Sequence, residues 1–233
     1  MVSRLLRRSG VAIINVSELL DYKPDVVVQV GVGQHYEEVA VMLEMWPNLK
    51  FIGIEPHPGI CDQLRDGYPG TVIEAAVGEC DGRQALYSKK RHKDGSSLFR
   101  HKDEKDMETY SEIEVDVRTL DSVMSPHAGD LLNKEILLWL DCEGSELSAL
   151  QGGQEFLESV DCVNVETTGN PPGVGWCDPV RLHHFLMYKG FFRQTGHTFR
   201  DTAGQVDCIY VRRDLFRPEV CSCPCQVEFY RGI

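Results

Sequence analysis

Val26-Val27-Val28-Gln29-Val30-Gly31-Val32-Gly33 is the stretch on which the fold turns. Residues 26–30 form a β-branched run of the kind found in a parallel strand buried on both faces, and glycines follow at once. The spacing of Val39, Ala40, Met42 and Leu43 then predicts a helix packed on a sheet, closed by Trp46-Pro47. Residues 50–54 read as the next strand. Pro58 opens a second helix with Ile60, Cys61 and Leu64 inward, and residues 67–70 turn the chain into a third strand over 71–77. This order, β-α-β-α-β, is that of a parallel sheet with right-handed crossovers.

Upstream, Ser17 caps a short helix over 18–22 that Pro24 ends, so residues 1–24 are expected to be a helical extension of the main domain. Downstream the pattern is less regular at first. Residues 85–87 read as a short strand and 88–110 as a charged loop. Ile113, Val115 and Val117 alternate with Glu112, Glu114 and Asp116, as in a strand with one exposed face. A helix over 120–124 precedes the fourth core strand, 135–140, which runs into Asp141-Cys142-Glu143-Gly144. The helix after it turns Leu147 and Leu150 inward, and residues 160–165 form the fifth strand with Glu166 at its end. Residues 167–177 carry too many glycines and prolines for regular structure, and read as a lid over the C-terminal edge of the sheet. Asp178-Pro179 starts a helix that Gly190 stops. Residues 191–198 and 207–211 then make two strands joined by a turn-rich link, an antiparallel finish to a parallel sheet.

The composition agrees with one globular α/β domain. The chain has 233 residues, 42% hydrophobic and 26% charged, and no apolar run long enough to span a bilayer. The apolar run over 11–16 is too short for a signal-peptide core, so a cytoplasmic location is expected. Nine scattered cysteines read as free thiols for the most part. Cys221, Cys223 and Cys225 mark residues 214–233 as a separate tail, with no partner cluster of zinc spacing. A net charge of −12 disfavours a broad grip on nucleic acid. The basic stretch from Lys89 to Lys102 is the local exception, and the acids after it favour a solvated loop.

Two features point to chemistry. Glycines after the first strand let backbone approach a ligand closely, and Glu55 at the tip of the second strand is placed to accept both hydroxyls of a ribose. Together they suit an adenosine-containing cofactor. A dinucleotide fingerprint would place a third glycine where Tyr36 stands, which argues against a nicotinamide-dependent oxidoreductase. Farther along, Asp141, Glu143 and Glu146 crowd one strand-to-helix turn. Glu143 and Glu146 suit the helix dipole, whereas Asp141 ends a buried strand and faces the cleft.

The ordered set of motifs resembles the FkbM family of methyltransferases over residues 25–212. It comprises Val26 to Gly33, Ile54-Glu55-Pro56, Ala75-Ala76-Val77-Gly78, Gly95-Ser96-Ser97-Leu98, Thr119-Leu120-Asp121, Leu140-Asp141-Cys142-Glu143-Gly144-Ser145-Glu146, Val165-Glu166 and Gly190-Phe191. The resemblance implies a Rossmann-like class I methyltransferase fold with a domain over 25–213. Its sheet has seven mostly parallel strands, the last antiparallel, with helices on both faces. It also implies S-adenosylmethionine as donor and a small-molecule acceptor, with hydroxyl oxygens of sugars or natural products the usual targets. This chain departs from the family at Gln29, where Asp is usual, at Trp139, where Lys is usual, and at His35, near a usual small residue. Gln29 keeps hydrogen-bonding capacity and loses the charge that attracts the methionine ammonium.

On that resemblance Gln29, Gly31 and Gly33 hold the methionine end, Glu55 with Pro56 takes the ribose, Ala76 and Val77 line the adenine pocket, and Ser97 joins the cofactor set. Asp141 is the first candidate for a general base, with Glu166, His183 and His184 as alternates. Asp141, Glu143 and Glu166 have the chemistry for a hard divalent ion, but spacing alone does not bring them together, and no metal is assigned. A noncatalytic relative that binds a partner or metabolite is the remaining alternative, suggested by Gln29 and Trp139.

Overall fold

A computed structural model of the chain describes residues 22–90, 93–100, 102, 109–169, 173–195 and 205–217. Strands β1 (Val26–Val30), β2 (Lys50–Glu55), β3 (Thr71–Glu74), β7 (Ile136–Leu140), β8 (Cys162–Thr168), β9 (Phe191–Thr195) and β10 (Gln205–Arg212) form one sheet in the order β3-β2-β1-β7-β8-β10-β9. β1 is parallel to β2 and β7, β2 to β3, and β7 to β8, while β10 runs antiparallel to both β8 and β9. This is the class I methyltransferase sheet.

Strands β1 and β7 are buried along their whole length, which explains why they read as unbroken apolar runs. On one face Val26, Val28, Val30, Ile136, Leu138 and Leu140 pack under helices α3 (Leu120–Met124), α5 (Glu146–Gln151) and α6 (Pro179–Tyr188). On the other, Val27, Leu137 and Trp139 meet Val39 and Met42 of α1 (Glu37–Met45) and Ile60 and Leu64 of α2 (Pro58–Gly67). The remaining helix, α4 (Ala128–Leu131), is a single turn before β7. Helices start where the caps predict. His57 accepts from the Gly59 N–H before Pro58 in α2, and Asp178 accepts from the Val180 and Arg181 N–H groups before Pro179 in α6.

Several boundaries differ from the reading of the sequence. The strand expected over 71–77 divides at buried Ala75. β3 stays in the main sheet, while β4 (Ala76–Val77) leaves it to pair with β6 (Tyr110–Arg118), which pairs on its other side with β5 (Gly82–Lys89). The short strand at 85–87 is thus part of an eight-residue strand, and the alternating Ile113, Val115 and Val117 face a small core with Ala76, Leu86 and Leu98. In α1 Val41 is buried with Val39 and Met42, whereas Ala40 is exposed. The fifth strand runs on to Thr168, so Glu166 lies within it. The extension at 1–24 is described only from Tyr22, and the link over 201–204 and the tail cysteines lie outside the described residues. Cys61, Cys80, Cys142, Cys162, Cys177 and Cys208 are free thiols, as expected. No helix among the described residues is long and apolar enough to cross a membrane.

Candidate active site

Strand order reverses between β1 and β7. A cavity of about 430 Å³ opens at the C-terminal ends of these strands, where a switch in sheet direction leaves room between the loops. Its size falls in the range of small-molecule and cofactor sites.

The turn after β1 is pressed against the end of β7. Gly31 donates to the Ile54 carbonyl at 2.9 Å, and Asp141 donates to the Val30 carbonyl at 3.0 Å. A Cβ at Gly31 would stand 1.8 Å from the Asp141 carbonyl oxygen, and its φ of 79° lies in the left-handed region, so glycine is required twice over. Gly33 also has positive φ and donates its N–H to Glu55 Oε2 at 3.0 Å. The other Glu55 oxygen, Oε1, accepts from the His57 N–H at 2.9 Å. Glu55 is 4% exposed, so two backbone donors fix a buried carboxylate at the cavity wall. The prolines flanking His57 set the backbone that delivers the second donor. Beyond Glu55 the wall becomes apolar: Ile60, Ala75, Ala76, Val77, Leu86 and Leu98 form a shelf between the two sheets.

The opposite end is acidic. Asp141, Glu143, Glu166 and Asp207 all line the cavity. Register explains two of them, since Glu166 of β8 sits opposite Asp207 of β10 in the antiparallel pair. Burial, followed by the charges of Asp141, Glu143 and Asp207, pushes the Glu166 carboxyl well up, toward its protonated form. Its hydrogen bond with Asp141 favours the protonated form. Burial and the Asp141 charge likewise raise Asp207 to about 6.

The Asp141–Gly144 turn is strained and braced. Glu143 has a φ of 49°, unusual for a residue with a side chain. Glu146, expected to do no more than suit the helix dipole, is buried and accepts from the Gly144 N–H at 2.9 Å. Trp176 packs over Gly144, where a Cβ would meet its ring at 2.5 Å, and the Cys177 N–H reaches the Gly144 carbonyl at 2.9 Å. Residues 173–177 of the expected lid therefore rest on the turn that carries Asp141.

Gln29, Gly31, Gly33, Glu55, Pro56, Ala76, Val77, Asp141 and Glu166 thus share one cavity. Three expected residues, Ser97, His183 and His184, do not join them. Ser97 faces away, donating its hydroxyl to the Glu143 carbonyl at 2.6 Å and accepting from the Phe99 N–H at 3.0 Å, so it ties the second sheet to the turn. His183 is half-buried against Tyr210, with Nδ1 3.2 Å from the phenol oxygen, and desolvation lowers its pKa. It packs on the far side of the sheet from Asp207, because Tyr210 belongs to the other face of β10. No cluster of His, Cys, Asp and Glu among the described residues is arranged to hold a metal ion.

The structure also brings in residues that the sequence left unmarked. Glu38, Lys93, Gln205 and Asp207 line the cavity. Lys93 belongs to the basic stretch read as a solvated loop, and it sits near His57, whose pKa falls through burial and then the lysine's charge.

A model of the methyltransferase FkbM domain matches residues 25–199. The chain belongs to the FkbM methyltransferase family. No curated protein matches this family member at significance. Among solved structures, an uncharacterized protein of Listeria monocytogenes serotype 4b shares the fold at a TM-score of 0.51, with 9% identity over 94% of this chain and 77% of that one. Magnesium protoporphyrin IX methyltransferase of Synechocystis PCC 6803, solved with bound SAM, aligns at 0.48 with 9% identity over 91% of this chain and 80% of that one. Precorrin-6y C5,15-methyltransferase of Geobacter metallireducens GS-15 aligns at 0.44 with 12% identity, covering 89% and 90%. In this FkbM chain β1 carries Gln29, 2% exposed, whose amide donates to Glu38 and accepts from Tyr68.

Proposed function

We propose that the chain transfers the methyl group of S-adenosylmethionine to a hydroxyl oxygen of a small, uncharged or cationic acceptor, such as a sugar or a natural-product-like metabolite. The observation that carries this reading is the division of one cavity into an apolar shelf, a buried two-oxygen clamp and an acidic end. The cofactor has matching parts. Its adenine suits the shelf of Ala75, Ala76, Val77 and Leu98, its ribose diol suits Glu55, and its methionine end suits the backbone of Gly31 and Gly33. When bound, it supplies a methyl carbon already activated by a sulfonium.

The protein then has to align the acceptor, keep water out and take one proton. Asp141 stands at the junction of the glycine turn and the acidic end, where both substrates meet. Glu166 stays protonated and bonds to Asp141, which orients the Asp141 carboxylate without competing for the acceptor's proton. As the carbon–oxygen bond forms and the carbon–sulfur bond breaks, Asp141 receives the hydroxyl proton. The ionised acids around Glu166 at this end repel anionic acceptors.

A screen of sugar and natural-product hydroxyls with labelled donor tests the reading. Once an acceptor is found, Asp141→Asn is expected to lower kcat by about a hundredfold or more, the scale of a lost general base. His183→Phe should leave kcat unchanged, because that side chain lies outside the cavity. Full turnover by Asp141→Asn would remove Asp141 from the chemistry. A chain whose melting temperature ignores S-adenosylhomocysteine at a hundred times a typical dissociation constant, where about 2.7 kcal/mol is expected, would instead be a noncatalytic relative.

A further inference from the structure

Gln29 near the end of β1 is neutral and buried, yet it is tied to a carboxylate that lines the cavity. Gln29 Nε2 donates to Glu38 Oε1 at 2.8 Å, and Gln29 Oε1 accepts from the Tyr68 hydroxyl at 3.1 Å. The amide is therefore pinned in one orientation, with its NH₂ toward Glu38. Tyr68 is itself buried, held edge-on between Tyr36 and Phe51 at centroid distances of 5.5 and 6.1 Å. A three-residue relay thus runs from the aromatic packing under β2 to a carboxylate on the first turn of α1.

That carboxylate lines the same cavity as Gly31, Gly33 and Asp141. Its electrostatic neighbours are the Gln29 amide, which favours its charge, and Asp141 and Glu37, which oppose it. An ionised Glu38 is a desolvated anion facing a second anion across the methionine end of the cavity, an arrangement that an ammonium group satisfies from both sides. Val39, Val41 and Met42 provide the buried contacts of α1, and Glu38, which also suits the helix N-terminus, turns its carboxylate to the Gln29 amide.

We propose that Glu38, aimed by Gln29, is the anionic contact for the ammonium group of the cofactor's methionine, standing in for the charge that Gln29 lacks. This rests on the adenosylmethionine reading of the cavity. Burial raises the Glu38 carboxyl to about 7 in the chain alone, and a bound ammonium would favour its ionised form.

The test separates the amino-acid end of the ligand from the nucleoside end. Binding of S-adenosylhomocysteine and of 5′-methylthioadenosine, which keeps the nucleoside and the sulfur but lacks the amino-acid group, is measured by calorimetry. Wild type, Glu38→Gln and the double variant Gln29→Asp/Glu38→Gln are compared. Gln at 38 retains an oxygen for the Gln29 amide, so the single variant changes charge and little else. It is expected to weaken S-adenosylhomocysteine by about tenfold or more and leave 5′-methylthioadenosine within about twofold, with the double variant recovering most of the loss. Unchanged S-adenosylhomocysteine affinity in Glu38→Gln, or an equal loss of both ligands, overturns the assignment. Wild type that binds neither compound overturns the cofactor reading itself and takes the assignment with it.

Discussion

Replacing Glu55 with Ala should separate what the clamp does for the fold from what it does for the ligand. In the chain, Glu55 satisfies the Gly33 N–H at 3.0 Å and the His57 N–H at 2.9 Å from a site 4% exposed. Removing the side chain leaves two backbone donors facing a cavity wide enough to admit water. The cost to stability should therefore fall near the low end of about 1–3 kcal/mol for each unsatisfied group. For a chain of this size, each kcal/mol lowers Tm by about 2–4 °C, so a loss of about 4–8 °C is expected. Ligand binding loses more. Two ribose hydroxyls bonded to a carboxylate are worth about 1.5–3 kcal/mol each, and losing both lowers affinity for S-adenosylhomocysteine by more than about a hundredfold. Calorimetry with S-adenosylhomocysteine, adenosine and adenine is the assay. The first two should weaken together while adenine, which has no ribose, is unaffected. If Glu55→Ala holds S-adenosylhomocysteine within about threefold of wild type, the clamp does not grip a ribose and the orientation assigned to the cofactor is wrong.

Two further results are expected. Gly31→Ala puts a methyl group 1.8 Å from the Asp141 carbonyl at a φ of 79°, and should lower Tm by well over the few degrees that ordinary surface changes cause. Gly82→Ala, with nothing within 4 Å of its Cβ, serves as the control. Glu166→Gln should alter the pH profile of thermal stability. The native carboxyl is raised well above its ordinary value, so the folded state binds the proton more tightly than the unfolded chain; stability from this group is full below the unfolded pKa and falls as pH rises toward the folded one. The glutamine, which keeps a donor for Asp141 and cannot ionise, should remove that part of the slope between about pH 6 and pH 8, and identical profiles would show that Glu166 is ionised in the native chain.

Much of the site was legible because its geometry follows from local sequence. A strand end, a glycine turn and a following helix place Gly31, Gly33 and Asp141 in register with one another through nearest-neighbour pairing of β1 with β7, and β2 beside β1 delivers Glu55. What could not be read was long-range. Asp207 meets Glu166 only through the antiparallel register of β10 on β8, two strands separated in sequence by a helix and another strand. Glu38 was hidden because two acids in a first turn are what the helix dipole favours anyway, and nothing local ties residue 38 to residue 29. Ser97 and His183 lie off the cavity for the opposite reason. Each has a reactive side chain in a suggestive stretch, and each is consumed by a structural hydrogen bond to a residue distant in sequence. The second sheet escaped notice because Ala75, where the third strand divides, is an ordinary strand residue.

The division of that strand has a consequence for how such an enzyme can diversify. From β4 onward the chain builds a separate three-stranded layer with a core of its own, Ala76, Leu86, Leu98, Val115 and Val117, and only then returns to the main sheet at β7. Gly31 and Glu55 precede this excursion in the chain, and the acids at the other end of the cavity, Asp141, Glu143, Glu166 and Asp207, follow it. The layer therefore supplies one wall of the cavity, its apolar shelf, as an insert between the glycine turn and the acidic end. Mutations in β5 or β6 can therefore reshape the apolar shelf while the backbone of the glycine turn and the Glu55 clamp, which belong to other strands, keep their geometry.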